Sequence, residues 1–145
     1  MCPEKTDGYT AVPRFFLSGQ EAQLNGLTLA FIGDAVYGLM AREYALRRSA
    51  ASPQTLHARA AALSNASFQS LAAERLAPLL TPEETEIFKR GRNARPGHVP
   101  KNKSQAEYHR STGLEALFGW LYLRGESGRI QTLFLAAVGE GDENG

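Results

Sequence analysis

The segment from Asn25 to Arg48 contains no proline and is apolar on most of its faces. It is too long for a strand, and it predicts a central helix buried by others packed around it. No internal repeat accompanies it, and no alternating apolar pattern is bounded by tight turns, which removes the usual signals for repeat folds and for a sheet. The expected fold is therefore all-α, a helical bundle.

Cap chemistry sets the remaining boundaries. Ser52-Pro53 pairs an N-cap with proline at the first helical position and opens a helix to about Leu63; Asn65 or Ser67 can cap the next, toward Leu76. Thr81-Pro82-Glu83-Glu84 is a capping box that starts a short helix ending near Arg92. Gly91 to Lys103 contains two prolines and Gly97, which predicts a protruding loop. A second capping box, Ser104 to Glu107, launches the other long helix, through Trp120 to about Leu123, with Gly125 as its C-cap. A last helix from about Arg129 to Val138 should pack a stripe of Ile130, Leu133, Phe134 and Ala137. Residues 1–20 and 139–145 read as loosely ordered ends around one domain, 21–138.

At 145 residues the chain is long enough to bury one real core. Its only cysteine, Cys2, excludes an intrachain disulfide and a cysteine-based zinc site, and no apolar run reaches membrane-span length. The chain reads as cytoplasmic. The net charge of +1 hides a segregation: residues 89–110 carry +6, and the remainder −5.

Two acids sit where an apolar helix would not ordinarily keep them. They are Asp34, in Leu-Ala-Phe-Ile-Gly-Asp-Ala-Val-Tyr, and Glu115, in Ser-Thr-Gly-Leu-Glu-Ala-Leu-Phe-Gly-Trp-Leu. A carboxylate removed from water is costly unless hydrogen-bonded, paired or bound to a cation. No Lys or Arg lies three or four residues from either acid, so helix spacing supplies no local partner. Taken singly, each acid reads as structural. Together they suggest a shared ligand, and two carboxylates from separate helices form an oxygen-rich site suited to Mg²⁺. The nearby Gly33, Gly38, Gly113 and Gly119 each cost a helix ~1 kcal/mol relative to Ala, which marks them as points of close approach between helices or to a ligand.

The basic segment offers Lys89, Arg90, Arg92, Arg95, Lys101 and Lys103, with Asn93, His98 and Asn102 as hydrogen-bonding groups. A charge run is usually a solvated face. Its place in a loop just before the helix bearing Glu115 favours nucleic-acid contact instead, and the scarcity of aromatics favours a duplex backbone over stacked single strands. His57, His98 and His109 lie far apart without a nucleophile motif; His57 reads as a packed or rim residue and His109 as a helix-surface one. Phe118, Trp120 and Tyr122 read first as packing and second as a dimer surface.

These residues resemble a known family. Leu24-Asn-Gly-Leu-Thr-Leu-Ala-Phe-Ile-Gly-Asp-Ala-Val-Tyr37 is similar to the signature helix of the ribonuclease III fold, and Ser111 to Leu121 to its second acidic helix. The intervening Phe88-Lys-Arg-Gly-Arg-Asn-Ala94 and Pro100-Lys-Asn102 look like mini-ribonuclease III, the compact bacterial branch. The resemblance implies a homodimeric all-α endonuclease that hydrolyses double-stranded RNA with Mg²⁺, leaving 5′-phosphate and 3′-hydroxyl ends, and that trims precursor 23S ribosomal RNA. It implies Asp34 and Glu115 as the metal-binding and catalytic acids and the basic loop as the RNA-contacting insertion.

The larger enzymes carry further acids where this chain has Leu27, Ala30 and Thr112, so the expected site is poorer in carboxylates, as it is in the compact branch. With no double-stranded-RNA-binding domain following, grip on RNA is expected from the catalytic domain, the second subunit or a ribosomal protein. Two rivals remain on the sequence alone: a noncatalytic RNA-binding or ribosome-assembly module of the same fold, and a helical protein-interaction domain whose acids are structural.

Overall fold

The computed structural model describes residue 15 and residues 19–48, 51–95 and 105–139. Most of the two ends expected to be loose, 1–20 and 139–145, lies outside them. So do His98, Lys101, Asn102, Lys103 and the Ser104 cap.

Among the described residues, a 3-10 turn, Glu21–Gln23, leads into six helices: α1 Gly26–Arg48, α2 Pro53–Ser64, α3 Ala66–Leu76, α4 Pro82–Arg92, α5 Gln105–Leu123 and α6 Ser127–Ala137. A second 3-10 turn, Ala77–Leu79, extends α3. Among the described residues there is no strand. The caps behave as their chemistry requires. Asn25 Oδ1 accepts from the Thr28 amide at 2.9 Å, Ser52 caps α2 ahead of Pro53, and Asn65, not Ser67, caps α3. Both halves of the Thr81–Glu84 capping box are formed. Gly125 adopts φ 79°, the left-handed conformation that ends α5. Helix α6 begins two residues earlier than expected, at Ser127.

Helices α1 and α5 form the centre of the bundle. Leu29 meets Gly119 while Gly33 meets Glu115, so the two run antiparallel. Tyr37 is fully buried and meets Phe118 and Phe134 edge-on, each at 5.4 Å between ring centroids, which ties α1 to α5 and α6. Phe118 and Trp120 both lie in the core. Packing is thus the correct reading of that aromatic cluster, with only Tyr122 partly exposed. The α6 stripe of Ile130, Leu133, Phe134 and Ala137 is buried as expected. A forked ion pair, Arg129 to both oxygens of Glu84 at 2.8 Å, fastens α6 to the start of α4.

Candidate active site

Glycine decides where the two acids meet. A Cβ on Gly33 would overlap the Glu115 carbonyl, and one on Gly119 would overlap the Leu29 carbonyl. The helices therefore cross at backbone contact, and Asp34 follows Gly33 directly into the junction beside Glu115. Gly91 and Gly113 make a second close approach: a Cβ on Gly91 would lie 2.9 Å from the Thr112 carbonyl oxygen, and one on Gly113 2.8 Å from the Phe88 ring. This seats the last turn of α4, where the basic segment begins, against the α5 turn that bears Glu115. Gly38 makes no such approach; its near neighbour is the Arg42 side chain of the same helix.

The acids are not equally buried, which corrects the expectation that both leave water. Asp34 is exposed, whereas Glu115 is largely covered. Burial is the main reason that Glu115 holds its proton up to a pKa of about 8, with the Asp34 charge and the hydrogen bond that protonated Glu115 donates to Asp34 pushing the same way. Gln69 of α3 opposes them: its Nε2 donates to Glu115 Oε2 over a long 3.4 Å. One turn beyond Asp34, the Tyr37 hydroxyl donates to the Leu63 carbonyl at 2.6 Å, and burial together with the nearby Glu115 raises its pKa. Asp34 also borders an open groove of about 600 Å³ between α1 and α2, with Phe31, Arg42 and His57 on its rim.

Neither group acting on Glu115 is cationic, and the donors presented are carboxylate oxygens, so the pair fits a hard divalent ion. Among the described residues no group of three or more His, Cys, Asp or Glu is placed to hold a metal ion. An ion bound to two carboxylates would keep water in most of its positions, as Mg²⁺ tolerates.

The basic residues divide. Lys89 and Arg95 are exposed. Arg92 packs its guanidinium 6.0 Å from the Phe88 ring and donates to Asn93 Oδ1 at 3.1 Å. Arg90 is engaged elsewhere: it donates to the carbonyls of Ala22 and Leu24 at 3.2 and 3.1 Å, clamping the entry to α1. His109 is half-buried rather than superficial, with Nδ1 enclosed and lacking a hydrogen-bond partner among the described residues. His57 is an exposed rim residue.

The Ribonuclease III domain family matches residues 27–126. The chain belongs to the ribonuclease III family. It is 41% identical over 112 residues to the Mini-ribonuclease 3 of Symbiobacterium thermophilum, covering 77% of this chain and 86% of that protein. It is 39% identical over 126 residues to the Mini-ribonuclease 3 of Enterococcus faecalis, covering 83% and 96%. A crystal structure of a Fusobacterium nucleatum protein superposes with a TM-score of 0.74 at 31% identity, covering 83% of this chain and 97% of that one. The chain is accordingly an endoribonuclease of the ribonuclease III type. Ribonuclease III enzymes act on double-stranded RNA, generally as dimers and with divalent metal.

Gln69 is the site residue that the sequence alone did not reveal. It occupies the buried face of α3 formed with Ala72, Ala73 and Leu76, and is 3% exposed. A polar side chain on an apolar stripe was the signal present, the same one that marks Asp34 and Glu115.

Because Glu115 keeps its proton in the folded state up to about pH 8 and releases it near 4.5 when unfolded, metal-free protein loses stability as pH rises through this window. Glu115→Gln removes that loss. At pH 9 in EDTA the variant is expected to be more stable than wild type by on the order of 2 kcal/mol, allowing for partial solvent screening, with the gap closing below pH 5. Denaturant unfolding across this pH range measures it, and a gap independent of pH would show that Glu115 ionises normally.

Proposed function

We propose that this chain is a Mg²⁺-dependent endonuclease for double-stranded RNA, working in the cytoplasm as a homodimer, with Asp34 and Glu115 as its metal-binding and catalytic acids. The observation that carries the reading is the glycine-enforced crossing of α1 and α5, which brings two carboxylates together with no cation among the described residues acting on Glu115. Similarity to mini-ribonuclease III supports precursor 23S ribosomal RNA as the substrate, residues 21–138 as the catalytic domain and a ribosomal protein as helper. No helix among the described residues is long and apolar enough to cross a membrane.

Bound Mg²⁺ supplies Lewis-acid charge at the scissile phosphate and lowers the pKa of an attacking water. The chain's own groups do the rest. Asp34, open to solvent, can be reached by a phosphodiester; Glu115, covered and hydrogen-bonded, anchors the site from the bundle side. Lys89 and Arg92 on α4, with Asn93 at its C-cap and Arg95 just beyond it, form a basic run that continues toward His98, Lys101, Asn102 and Lys103 in sequence. Phe31, 77% exposed one turn before Asp34, and Leu27 a turn earlier offer an apolar rim of the kind a second copy covers, which supports dimerisation next to the site.

The test is cleavage of end-labelled duplex RNA, single-stranded RNA and duplex DNA, each with Mg²⁺ or EDTA. Mg²⁺-dependent cuts confined to duplex RNA are expected. Duplex binding without cuts would favour a noncatalytic RNA-binding module.

RNA contact along α4 makes a separable prediction. Arg95→Ala or Lys89→Ala should weaken duplex binding across sequences and reduce the log–log salt slope by about one, as each lost phosphate contact retains its counterions. Arg90→Ala should instead lower the melting temperature, because Arg90 holds two carbonyls. Filter binding at several salt concentrations, with thermal unfolding alongside, distinguishes the two classes; an unaltered slope in Arg95→Ala and Lys89→Ala would place the RNA elsewhere.

A further inference from the structure

We propose that Gln69 is a positioning residue for the metal-binding carboxylates, holding Glu115 in the orientation that faces Asp34; the inference rests on the nuclease reading above. The side chain is 3% exposed and lies among the small and apolar residues Ala72, Ala73 and Leu76, where an amide is costly unless its hydrogen bonds are made. Its Nε2 donates to Glu115 Oε2.

Helix α3 is held in register with both acid-bearing helices independently of that contact. Tyr37 of α1 bonds the Leu63 carbonyl just before the Asn65 cap, and α5 reaches back to α3 twice, through Ser67 to Glu107 at 2.9 Å and through Arg110 to Ser70 at 2.6 Å. Gln69 therefore presents its donor from a fixed backbone, as a residue that orients a metal ligand must.

The chemistry of the amide explains the choice of residue. A Lys or Arg at position 69 would also bind Glu115, but its charge would neutralise the carboxylate and compete with a divalent ion. Glutamine donates a hydrogen bond and carries no charge, so it restrains the carboxylate and leaves the negative field of the pair intact. A hydrophobic side chain of similar size would fill the volume and leave Glu115 free to change rotamer.

Gln69→Met and Gln69→Leu remove the donor while keeping much of the volume. Calorimetric titration of the full chain with Mn²⁺ in the absence of RNA is expected to show about tenfold weaker binding in both, and half-maximal duplex cleavage should need about tenfold more Mg²⁺. Duplex affinity in EDTA should stay within twofold of wild type. A purely structural role would lower the melting temperature and leave the Mn²⁺ affinity of the folded variants unchanged, and that result overturns the inference. A measurement on the unaltered protein covers the case in which neither variant folds. The Gln69 side-chain NH₂ resonances should move on Mg²⁺ addition, and resonances that stay fixed while Mg²⁺ supports cleavage overturn the inference as well. Wild-type protein that neither binds Mn²⁺ nor cuts duplex RNA would instead bring down the nuclease reading, and the inference with it.

Discussion

Asp34→Asn is expected to lower the single-turnover rate of duplex RNA cleavage by at least about a thousandfold, equivalent to ~4 kcal/mol of barrier, while the protein stays folded and binds duplex RNA in EDTA as before. The substitution preserves size and removes the one exposed charge of the pair. Because Asp34 is solvent-exposed, the fold does not depend on it. Because it acts on Glu115, its loss relieves part of the push that keeps Glu115 protonated, so the variant should be slightly more stable than wild type near pH 8 in metal-free buffer. Loss of cleavage together with unimpaired stability is the signature of a ligand-holding acid. A rate within tenfold of wild type would remove Asp34 from the reaction.

Local chemistry makes much of this site legible in the chain itself. The caps at Asn25, Ser52, Asn65 and Thr81 depend on side chains within a turn of the amides they satisfy, so the helix starts can be read directly from the residues. The unfavourable glycines in α1 and α5 point to close approach for an equally direct reason, although Gly38, whose Cβ would meet only Arg42 of its own helix, carries the same signal without the contact. Features set by distant partners are not legible. Whether Asp34 or Glu115 is covered depends on which helices pack over each, and nothing within one turn of either acid encodes that. Arg90 reads as one more cation in a basic run, yet its partners, Ala22 and Leu24, lie 68 and 66 residues away. Gln69 escapes notice because attention to charge passes over a neutral amide in the same anomalous position.

Gly33→Ala is expected to destabilise the protein by about 3 kcal/mol, whereas Gly38→Ala, five residues along the same helix, should be neutral or stabilising by up to ~1 kcal/mol. Helix propensity favours alanine at both positions, so the predicted difference comes from packing alone. A Cβ at position 33 would overlap the Glu115 carbonyl and sit 2.8 Å from the Gly119 amide nitrogen, and neither backbone atom can yield unless α1 and α5 separate. At position 38 it would meet only the end of the Arg42 side chain, at 3.2 Å, which can swing into solvent. Separation at Gly33 also moves Asp34 away from Glu115, so any folded fraction of Gly33→Ala should cleave poorly and bind Mn²⁺ weakly even though both carboxylates are present. Paired denaturant unfolding and Mn²⁺ titration of the two variants test this connection between fold and site. If Gly33→Ala proves as stable and as competent as Gly38→Ala, the helices do not cross at backbone contact, and glycine is not what brings the two acids together.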